Sequence, residues 1–588
     1  MPALADKTQR KLTFFLLSGA FAAMFYLTWM RWGSVHVDTF YDQWVYHQII
    51  SGKVIYRDIC YHYGFLPPYC GAFFYHIFGE TLCASVIFGA LVTIFTVVFL
   101  YRIGRFFLNR RVASLLVLNF ITIFAFGGNS PIFNFILPYT SAATMAALFS
   151  LITVYFALKF ILQEKARCIY LSAFFLFLTI LSRFDVGLLL AFALAVSSLC
   201  YFFIKRNVSF LISVATAVFT AIIAYFLFIK LNHAYAGFVD SVFNIFLSTS
   251  DNPYFHLRLS GFLDPLSSIF YALKHFLLWL AVAGVFAGLP HWLKRFSVLT
   301  IRFAVFTLPG LIVLVLLAFH FPYYGIYSAL PLTLMLFTFY LVLSMMQGEA
   351  SFFSKNFALF LLFTAALAIL ARIILNFSIF SYGFVLGILG IIAFYIAWFE
   401  LFPRIISLKT SARRYYTSGF TLFIILLNVP IFGDAMKYYS NKNLLIHSSR
   451  GDLYSNQDEH SLRFWETVDY LKKNTPRNTS LVVFPEGIAI NYFSGRINPL
   501  RHINFIPPDI VALGGDDKLI EALTHYKVEY VAITDRRTPE YKFTDFGKDY
   551  AVKLNSWIKA NYNLEKVFGD YPFTTPRYGI VLFRRKDK

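Results

Sequence analysis

The stretch VDTFYDQWVYHQIISGKVIYRDICYHYGFLPPY, residues 37 to 69, lies between two segments that are apolar enough to cross a bilayer. It holds three carboxylates, Asp38, Asp42 and Asp58, and ionisable groups so close to a membrane are costly unless they have a use. The run from Asp38 to Gly52 predicts an amphipathic surface helix that ends at the glycine and carries Asp38 and Asp42 on one side. Four apolar residues are expected to lie on lipid: Phe40, Trp44, Ile49 and Ile50.

Composition places the whole chain in a membrane. Of its 588 residues, 58% are hydrophobic, 20% are aromatic and only 14% are charged, and the mean hydropathy is +0.64. These values exclude an ordinary soluble protein. The net charge of +20 comes from basic residues that lie mainly in short loops, where they set topology and meet anionic lipid head groups. Membrane lipid is therefore an expected partner, and nucleic acid is not.

Hydropathy predicts a polytopic α-helical membrane protein with about thirteen transmembrane helices. The first apolar run follows a short basic head and has no small-residue cleavage site after it, so we interpret it as a retained helix and not a signal peptide. The predicted spans are 12–30, 81–100, 112–126, 140–158, 169–182, 186–204, 209–231, 270–289, 303–319, 328–346, 357–375, 384–401 and 419–432.

The distribution of basic residues predicts the orientation of these spans. Arginines 102, 105, 110 and 111 follow the second span and mark the cytoplasmic side, and most other basic loops fall on that same side. An odd number of crossings then places the first outer loop, residues 31–80, and everything after Gly433 outside. We expect a transmembrane domain over residues 1–434 and an extracytoplasmic domain over residues 435–588.

Two of the predicted spans are too short for a typical bilayer. The span 169–182 would cover only about 21 Å before it meets Arg183 and Asp185, which should then lie below the outer surface. The span 112–126 is followed by GGNSPIFNFILPY, whose Gly, Asn and Pro residues favour irregular backbone. Such backbone is tolerated at membrane depth only where protein or water surrounds it. Together these features predict a cavity that opens outward beneath the acidic first loop.

The sequence after Gly433 predicts a small α/β domain. It has no Gly-rich phosphate loop, no Ser-His-Asp order and no Cys/His metal spacing, so no chemistry is assigned to it. The predicted helices are 461–473, 517–525 with Asp516 as its cap, and 546–560; the predicted strands are 480–484, 530–534 and 579–584.

Cysteine and histidine spacing gives no metal site. The five cysteines form no CxxC pair, and although a disulfide between Cys60 and Cys70 is one alternative, unpaired thiols fit the pattern better. His36, His47 and His62 lie near the carboxylates of the first loop, but their spacing matches no recognised ligand pattern. No metal ligand is assigned, and a divalent metal at the first loop stays an alternative.

The segment VIYRDICYHYGFLPPY, together with an outer loop that opens with an aspartate, resembles the first extracytoplasmic loop of the GT-C superfamily of polyprenyl-phosphate-sugar-dependent glycosyltransferases. The RgtA/B/C/D-like and ArnT/PMT-like groups are the most similar. FNFILPYTSA at 133–142, LSRFDVGLLL at 181–190 and the tail segment FPEGIAINYFSGRINP extend the resemblance over most of the chain. Many members carry adjacent acids in this loop, whereas Asp38 is followed by Thr39 here, so it stays open which aspartate is the base.

Sugar transfer from a lipid phosphate needs a base for the acceptor hydroxyl. The resemblance assigns this role to Asp38; the alternative is that Asp38 only caps the surface helix. Asp42 and Asp58 are further catalytic candidates. The alternative for Asp42 is an exposed acid on the polar side of the helix, and that for Asp58 is an ion pair with Arg57 or Arg31.

Transfer also needs positive charge or hydrogen-bond donors to hold the departing phosphate. Arg183 is expected to reach the donor phosphate while Asp185 orients it, unless the two form only a structural salt bridge. The predicted substrate-binding residues are Arg57, His62, Tyr63, Asn134, Tyr139, Arg183 and Asp185.

The resemblance implies a hexosyl or pentosyl transferase of the bacterial cytoplasmic membrane. Its donor would be a polyprenyl-phosphate-linked sugar, and its acceptor a lipid such as lipopolysaccharide, a glycan or a protein of the cell envelope at the outer face. A polymerase or ligase of surface polysaccharide is one alternative. A transporter of lipid-linked substrates is another, but the paired broken helices expected of a transporter are not apparent.

Overall fold

The computed structural model describes residues 2–35, 37, 39–127, 132–293, 296–319, 323–347 and 350–586. The part before residue 442 is built from helices, as its long apolar runs require. These are α1 (Pro2–Leu27), α2 (Thr39–Ile50), α3 (Leu66–Phe78), α4 (Leu82–Phe107), α5 (Arg110–Asn119), α6 (Ser141–Gln163), α7 (Arg167–Ser182), α8 (Phe184–Lys205), α9 (Ser209–Leu231), α10 (Tyr235–Phe238), α11 (Ile245–Asp251), α12 (Tyr254–Ser260), α13 (Pro265–Trp292), α14 (Val298–Ala318), α15 (Leu330–Gln347), α16 (Ala350–Leu370), α17 (Gly383–Leu386), α18 (Ile388–Ile396), α19 (Phe402–Ile405) and α20 (Thr410–Asn441).

Within the described residues, eleven helical runs are long and apolar enough to cross a bilayer. Two shorter apolar stretches complete the set, and they are the two spans that the sequence predicts to be short. One is α7. The other is α5, which continues as the π-helix Phe120–Ala125. The polytopic prediction is confirmed, and the chain is a multi-pass membrane protein.

The carboxyl-terminal part contains a mixed four-stranded sheet in the order β3-β4-β6-β5 and a separate antiparallel hairpin of β1 and β2. Strands β3 and β4 are parallel, whereas β6 pairs antiparallel with both β4 and β5. The elements are β1 (Leu444–Ile446), β2 (Leu453–Ser455), α21 (Glu459–Asn474), β3 (Leu481–Phe484), α22 (Ile488–Ser494), α23 (Pro507–Ala512), α24 (Asp516–His525), β4 (Tyr530–Thr534), α25 (Val552–Asn561), β5 (Tyr562–Gly569) and β6 (Gly579–Arg585).

Three sequence expectations for this part were wrong. Asp516 does not cap α24 but is its first residue, and its carboxylate accepts a hydrogen bond from the Leu554 backbone N–H at 3.0 Å. The helix predicted from residue 546 begins only at Val552, because residues 546–550 close a tight turn around Gly547, whose φ is +80°. Strand β5 was missed because polar residues interrupt its apolar pattern.

The two faces of the sheet join different hydrophobic cores, since successive side chains of a strand point to opposite sides. On β3, Leu481 and Val483 belong to the core that continues into the membrane part. Val482 and Phe484 belong to a second core that lies entirely within the carboxyl-terminal part. The sheet is therefore packed directly onto the rest of the chain and is not suspended from it by a flexible linker.

Helix α2 forms where the sequence predicts it, but it does not lie on lipid. Phe40 and Trp44 are each only 2% exposed. The Phe40 ring packs against the rings of Tyr492 and Phe493 on α22. The prediction that α2 lies on lipid is therefore wrong, because the carboxyl-terminal part covers the apolar face that was expected to contact the membrane. All five cysteines lie among the described residues and are unpaired thiols.

Candidate functional site

Asp42 is completely buried on α2. Its carboxylate accepts a hydrogen bond from the backbone N–H of Ser141, the first residue of α6, at 2.5 Å. The hydroxyls of Tyr46, Tyr61 and Thr140 donate to it at 3.3 to 3.4 Å. Burial raises the pKa of Asp42, and these hydrogen bonds partly oppose that rise. Asp42 thus ties α2 to the amino terminus of α6, where a helix favours negative charge, and it is not the exposed acid that the alternative prediction describes.

Asp38, the predicted base, and the neighbouring His36 lie outside the described residues. The chain on both sides of Asp38 is described, and the Thr39 backbone N–H donates to the Val37 carbonyl at 2.5 Å. Val37 lines a small cavity together with residues 486–489, which belong to the tail segment that resembles the GT-C superfamily. The start of the first outer loop therefore meets the carboxyl-terminal part.

Asp58 forms an ion pair with Arg57, which is the predicted alternative to a catalytic role. Its carboxylate lies 2.8 Å from a terminal guanidinium nitrogen of Arg57 and accepts a backbone hydrogen bond from Val54 at 2.8 Å. Hydrogen bonding to Arg57 is the main cause that lowers the pKa of Asp58. Both side chains are partly exposed. The pair closes a tight turn, and this geometry gives no support to a catalytic role for Asp58 or a substrate-binding role for Arg57.

His62 connects the first outer loop to two distant parts of the chain. Its Nδ1 lies 3.0 Å from the carbonyl oxygen of Ser241, in the segment between α9 and α13. Its Nε2 lies 3.6 Å from a carboxylate oxygen of Asp509 on α23. Burial lowers the pKa of His62. These contacts place His62 at a junction of three segments.

The same junction contains a second set of ionic contacts. Asp240, beside Ser241, accepts a hydrogen bond from Arg501. The Nε2 of His502 lies 3.0 Å from the same carboxylate. The segment between α9 and α13 is therefore held to the carboxyl-terminal part by charge as well as by packing.

Asn134 lies in the irregular segment that follows the π-helix and is fully buried. Its side-chain oxygen accepts hydrogen bonds from the backbone N–H groups of Ile136 and Leu137 at 2.9 and 2.7 Å. Its amide nitrogen donates to the Leu137 carbonyl at 3.1 Å. Residues 134–139, which belong to the described part of this irregular segment, are buried in protein, as the sequence predicts. Asn134 organises this loop, and its contacts give no support to the predicted role in substrate binding.

Tyr63, Tyr139, Arg183 and Asp185 are brought together at the junction of α7 and α8. Arg183, which is 2% exposed, donates through Nε to Asp185 at 2.9 Å and through a terminal nitrogen to the Tyr139 hydroxyl at 2.7 Å. Its guanidinium carbon lies 5.2 Å from the centre of the Tyr63 ring, within the range of a cation–π contact. Four of the seven predicted substrate-binding residues therefore form one cluster.

Arg372 completes this cluster from the end of α16. Its guanidinium donates to the second carboxylate oxygen of Asp185 at 3.2 Å. The side chains of Arg372 and Asp185 are 30% and 34% exposed, in contrast to Arg183. Two guanidinium groups thus share one carboxylate, and the three side chains carry one net positive charge where α7 and α16 end and α8 begins.

Comparison with known proteins gives structural matches only. No protein-family model matches the chain, and no curated protein sequence matches it. The archaeal oligosaccharyltransferase AglB from Archaeoglobus fulgidus, solved with an inhibitory peptide and a dolichol-phosphate, is similar over 98% of this chain and 75% of its own, with a TM-score of 0.50 and 13% identity. The chain has the GT-C fold.

Two further GT-C structures are similar in layout. The A. fulgidus oligosaccharyltransferase in complex with Zn and sulfate has a TM-score of 0.50 and 14% identity, covering 96% of this chain and 72% of that one. ArnT from Cupriavidus metallidurans, bound to undecaprenyl phosphate, has a TM-score of 0.43 and 11% identity, covering 96% of this chain and 97% of that one. At 13–14% identity, the two matches with a TM-score of 0.50 establish the fold alone and do not identify a substrate or the role of any residue.

Arg372 is the residue of this cluster that sequence reasoning missed. It lies inside the predicted span 357–375, and an arginine within an apolar span is by itself a hypothesis for a functional site. That signal was present in the sequence. The sequence did not predict that Asp185 is the partner of Arg372, because the two residues are far apart along the chain and come into contact only in the folded protein.

The residues that the structure describes, which exclude His36 and Asp38, contain no group of three His, Cys, Asp or Glu side chains arranged to hold a metal ion. In particular, His47 contacts Glu80 at 2.6 Å, while His62 contacts Ser241 and Asp509, so these two histidines point to different partners.

Proposed function

We propose that the chain is a membrane glycosyltransferase that moves a hexosyl or pentosyl group from a polyprenyl-phosphate-linked donor to an acceptor. The observation that carries this proposal is the cluster of Arg183, Asp185 and Arg372. A net positive charge at the outer end of membrane helices, with part of it exposed, suits an anion that is itself attached to a lipid.

Within the cluster, the two arginines have different surroundings. Arg183 is enclosed and already donates to Asp185 and Tyr139. Arg372 is partly exposed, and its guanidinium can form the planar, two-point contact that arginine makes with phosphate oxygens. We therefore assign direct phosphate contact to Arg372. Arg183 then fixes Asp185, which orients Arg372, so the role predicted for Arg183 shifts from contact to positioning.

Asp38 is proposed as the base. Its carboxylate would take the proton of the acceptor hydroxyl as the acceptor oxygen forms its bond to the sugar C1. The bond from C1 to the phosphate oxygen breaks in the same displacement, which inverts C1, and the lipid phosphate leaves with both bonding electrons. Arg372 stabilises the charge that develops there. Asp42 and Asp58 are less suited to this step, since their carboxylates are engaged by other groups.

The donor class is supported by the structural neighbour AglB, which was solved with a dolichol-phosphate. The distribution of basic residues supports an orientation with the carboxyl-terminal part outside a bacterial cytoplasmic membrane. The acceptor would then be a lipid, glycan or protein at the outer face.

Binding of undecaprenyl phosphate to the detergent-solubilised protein tests the donor site. We expect wild-type protein to bind undecaprenyl phosphate at least tenfold more tightly than undecaprenol or dioleoyl phosphatidic acid, since the cluster recognises phosphate on a polyprenyl chain. Arg372→Gln should lose this preference. Arg463→Gln is the matched control, because Arg463 is also 30% exposed and paired with one carboxylate, that of Glu466, but lies on α21.

Equal binding of the phosphate and the alcohol would contradict the proposal. Turnover separates a transferase from a transporter: we expect undecaprenyl-phosphate sugar to be converted to undecaprenyl phosphate when acceptor lipid or glycan is supplied. Donor that is bound and moved across a vesicle membrane with its sugar still attached would favour the transporter instead.

A further inference from the structure

A groove of about 560 Å³ lies between α7 and α9, on the surface of the membrane helices. Large exposed residues line it, such as Phe174 and Ile212, whose side chains are 51% and 55% exposed. Small buried residues also line it, such as Ser213 and Ala217, which are 7% and 2% exposed. The volume is within the range of about 300–1,000 Å³ that ligand-binding clefts have. The proposed chemistry does not use this groove.

The groove runs along only part of the two helices. Its lining residues extend from Tyr170 to Phe177 on α7 and from Ser209 to Thr220 on α9. At 1.5 Å per residue these stretches are about 11 and 17 Å long, which is about half of the 30 Å hydrocarbon core of a bilayer. The groove therefore has the depth of one leaflet. It lies in the half of α7 that is farther from Arg183, because Arg183 follows the last residue of that helix.

The end of the groove at which both helices begin is basic. Four exposed basic residues and one exposed acidic residue, Glu164, lie in the chain segments at this end; the basic residues are Lys165, Arg167, Lys205 and Arg206. None of these four forms an ion pair with a carboxylate in the part of the chain that the structure describes. The N-cap residues of α7 and α9 are Ala166 and Val208, which have no side-chain acceptor. Uncapped helix N-termini and unpaired basic side chains both favour an anion here.

Two hydroxyl groups of the groove are used by α9 itself. Ser213 donates to the Phe210 carbonyl at 2.7 Å, and Thr220 donates to the Thr216 carbonyl at 2.8 Å. Where Ser and Thr hold two membrane helices together, their hydroxyls bond across the interface instead. A helix of another copy would also pack along the whole bilayer, whereas this groove ends halfway. Acyl chains fit both the depth and the chemistry of the groove better than a transmembrane helix does.

We infer that this groove binds an anionic phospholipid, with its acyl chains between α7 and α9 and its phosphate among the basic residues at the start of both helices. Charge complementarity identifies the occupant, since each basic side chain near a membrane surface strengthens the binding of anionic lipid roughly fivefold. The inference goes beyond the proposed function and does not depend on it. The phospholipid is neither donor nor acceptor, and its site is at the opposite end of α7 from the Arg183 cluster.

Native mass spectrometry of the detergent-purified protein tests the charge recognition. Dioleoyl phosphatidylglycerol and dioleoyl phosphatidylcholine have the same acyl chains and differ in net charge. We expect the wild-type protein to bind phosphatidylglycerol at least tenfold more tightly. Lys205→Gln/Arg206→Gln should lose most of this preference, at roughly fivefold per residue. Lys409→Gln/Arg414→Gln is the matched control, because Lys409 and Arg414 are also exposed at the start of a membrane helix, α20.

Filling the groove tests the place of the acyl chains. Thr216→Trp introduces a large ring at an exposed lining position and should weaken the binding of both phospholipids by roughly tenfold. Thr307→Trp is the matched control, because Thr307 is an exposed threonine on another membrane helix, α14. Ile212→Trp, at a second exposed lining position, serves should Thr216→Trp not fold.

Four results would overturn the inference. The first is equal binding of the two phospholipids by the wild-type protein, and the second is an equal loss of preference in the control Lys409→Gln/Arg414→Gln. The third is a dimer that Thr216→Trp converts to a monomer, which would make the groove a contact between copies. The fourth is undecaprenyl phosphate that displaces phosphatidylglycerol from wild-type and Arg372→Gln protein alike, which would make the groove a polyprenyl site.

Discussion

The first outer loop and the Arg183 cluster both bury charge, but they balance it differently. In the loop, the Asp42 carboxylate accepts hydrogen bonds from one backbone N–H and three hydroxyls, all of which are neutral donors. In the cluster, Asp185 is shared by two arginines, one enclosed and one partly exposed. The difference suggests a rule for the buried acids of these two regions: Asp42, enclosed by neutral partners, has a structural role, whereas the proposed ligand site keeps an unbalanced charge that solvent can reach.

Replacement of Asp38 is expected to have the largest effect on the rate of sugar transfer, and it tests which carboxylate of the first outer loop is catalytic. If Asp38 is the base, Asp38→Asn should lower transfer by roughly 100-fold or more, in the range of lost general base catalysis. Insertion and melting temperature should change little, because asparagine caps a helix about as well as aspartate. Initial rates and melting curves check this. Retained activity would move the base role to Asp42 or Asp58.

Replacement of the two arginines sharpens the contrast inside the cluster. Arg372→Gln should weaken binding of undecaprenyl phosphate roughly 10- to 100-fold and leave the melting temperature nearly unchanged. Arg183→Gln should cost about 3 kcal/mol of stability, because it leaves a partly buried carboxylate short of a partner. Donor titration and thermal unfolding of both variants separate the roles. Equal losses of affinity without loss of stability would show that both arginines contact phosphate.

Replacement of Asp42 tests the rule for structural acids. Asp42→Ala should lower the free energy of unfolding by about 2 kcal/mol, because the Ser141 N–H is left buried without its acceptor. The turnover of the protein that remains folded should change much less than in Asp38→Asn. Denaturant unfolding in detergent, with activity normalised to folded protein, measures both quantities.

The sign of the pH dependence gives a second check on Asp42. Its pKa is raised in the folded state, so its contribution to stability is present at low pH and is lost as pH rises through that folded pKa. Asp42→Asn removes this dependence. The stability of the asparagine variant relative to wild type should therefore increase with pH, and a difference that decreases would contradict the assigned burial.

The smallest effect is expected at Asp58. Its pair with Arg57 is partly exposed, and exposed ion pairs contribute about 0–1 kcal/mol. Asp58→Asn should change the melting temperature by only a few degrees at most and leave transfer near the wild-type rate. A loss of transfer comparable to that of Asp38→Asn would place Asp58 in the chemistry and remove the distinction between the two loop carboxylates.

Hydropathy was enough to predict the membrane helices, including the two short ones, since bilayer thickness constrains length and composition locally. The environment of α2 was not predictable, because an apolar helix face looks the same to lipid as to the Tyr492 and Phe493 rings that cover it. Arg183 and Asp185 are close in sequence, so their ion pair could be predicted from the sequence. The ion pair between Arg372 and Asp185 could not be predicted, because it depends on how α8 and α16 pack.

The junction at His62 has a consequence for the order in which the protein matures. His62 contacts Asp509, and Asp240 contacts Arg501 and His502. These contacts join residues synthesised early to residues of the carboxyl-terminal part, which is synthesised last. His62 and Asp509 are separated by roughly 450 residues, so at a synthesis rate of about 5–20 residues per second Asp509 is made on the order of 20–90 s after His62. The junction of these three segments is therefore completed among the last events of the protein's biogenesis, after the membrane helices have been synthesised.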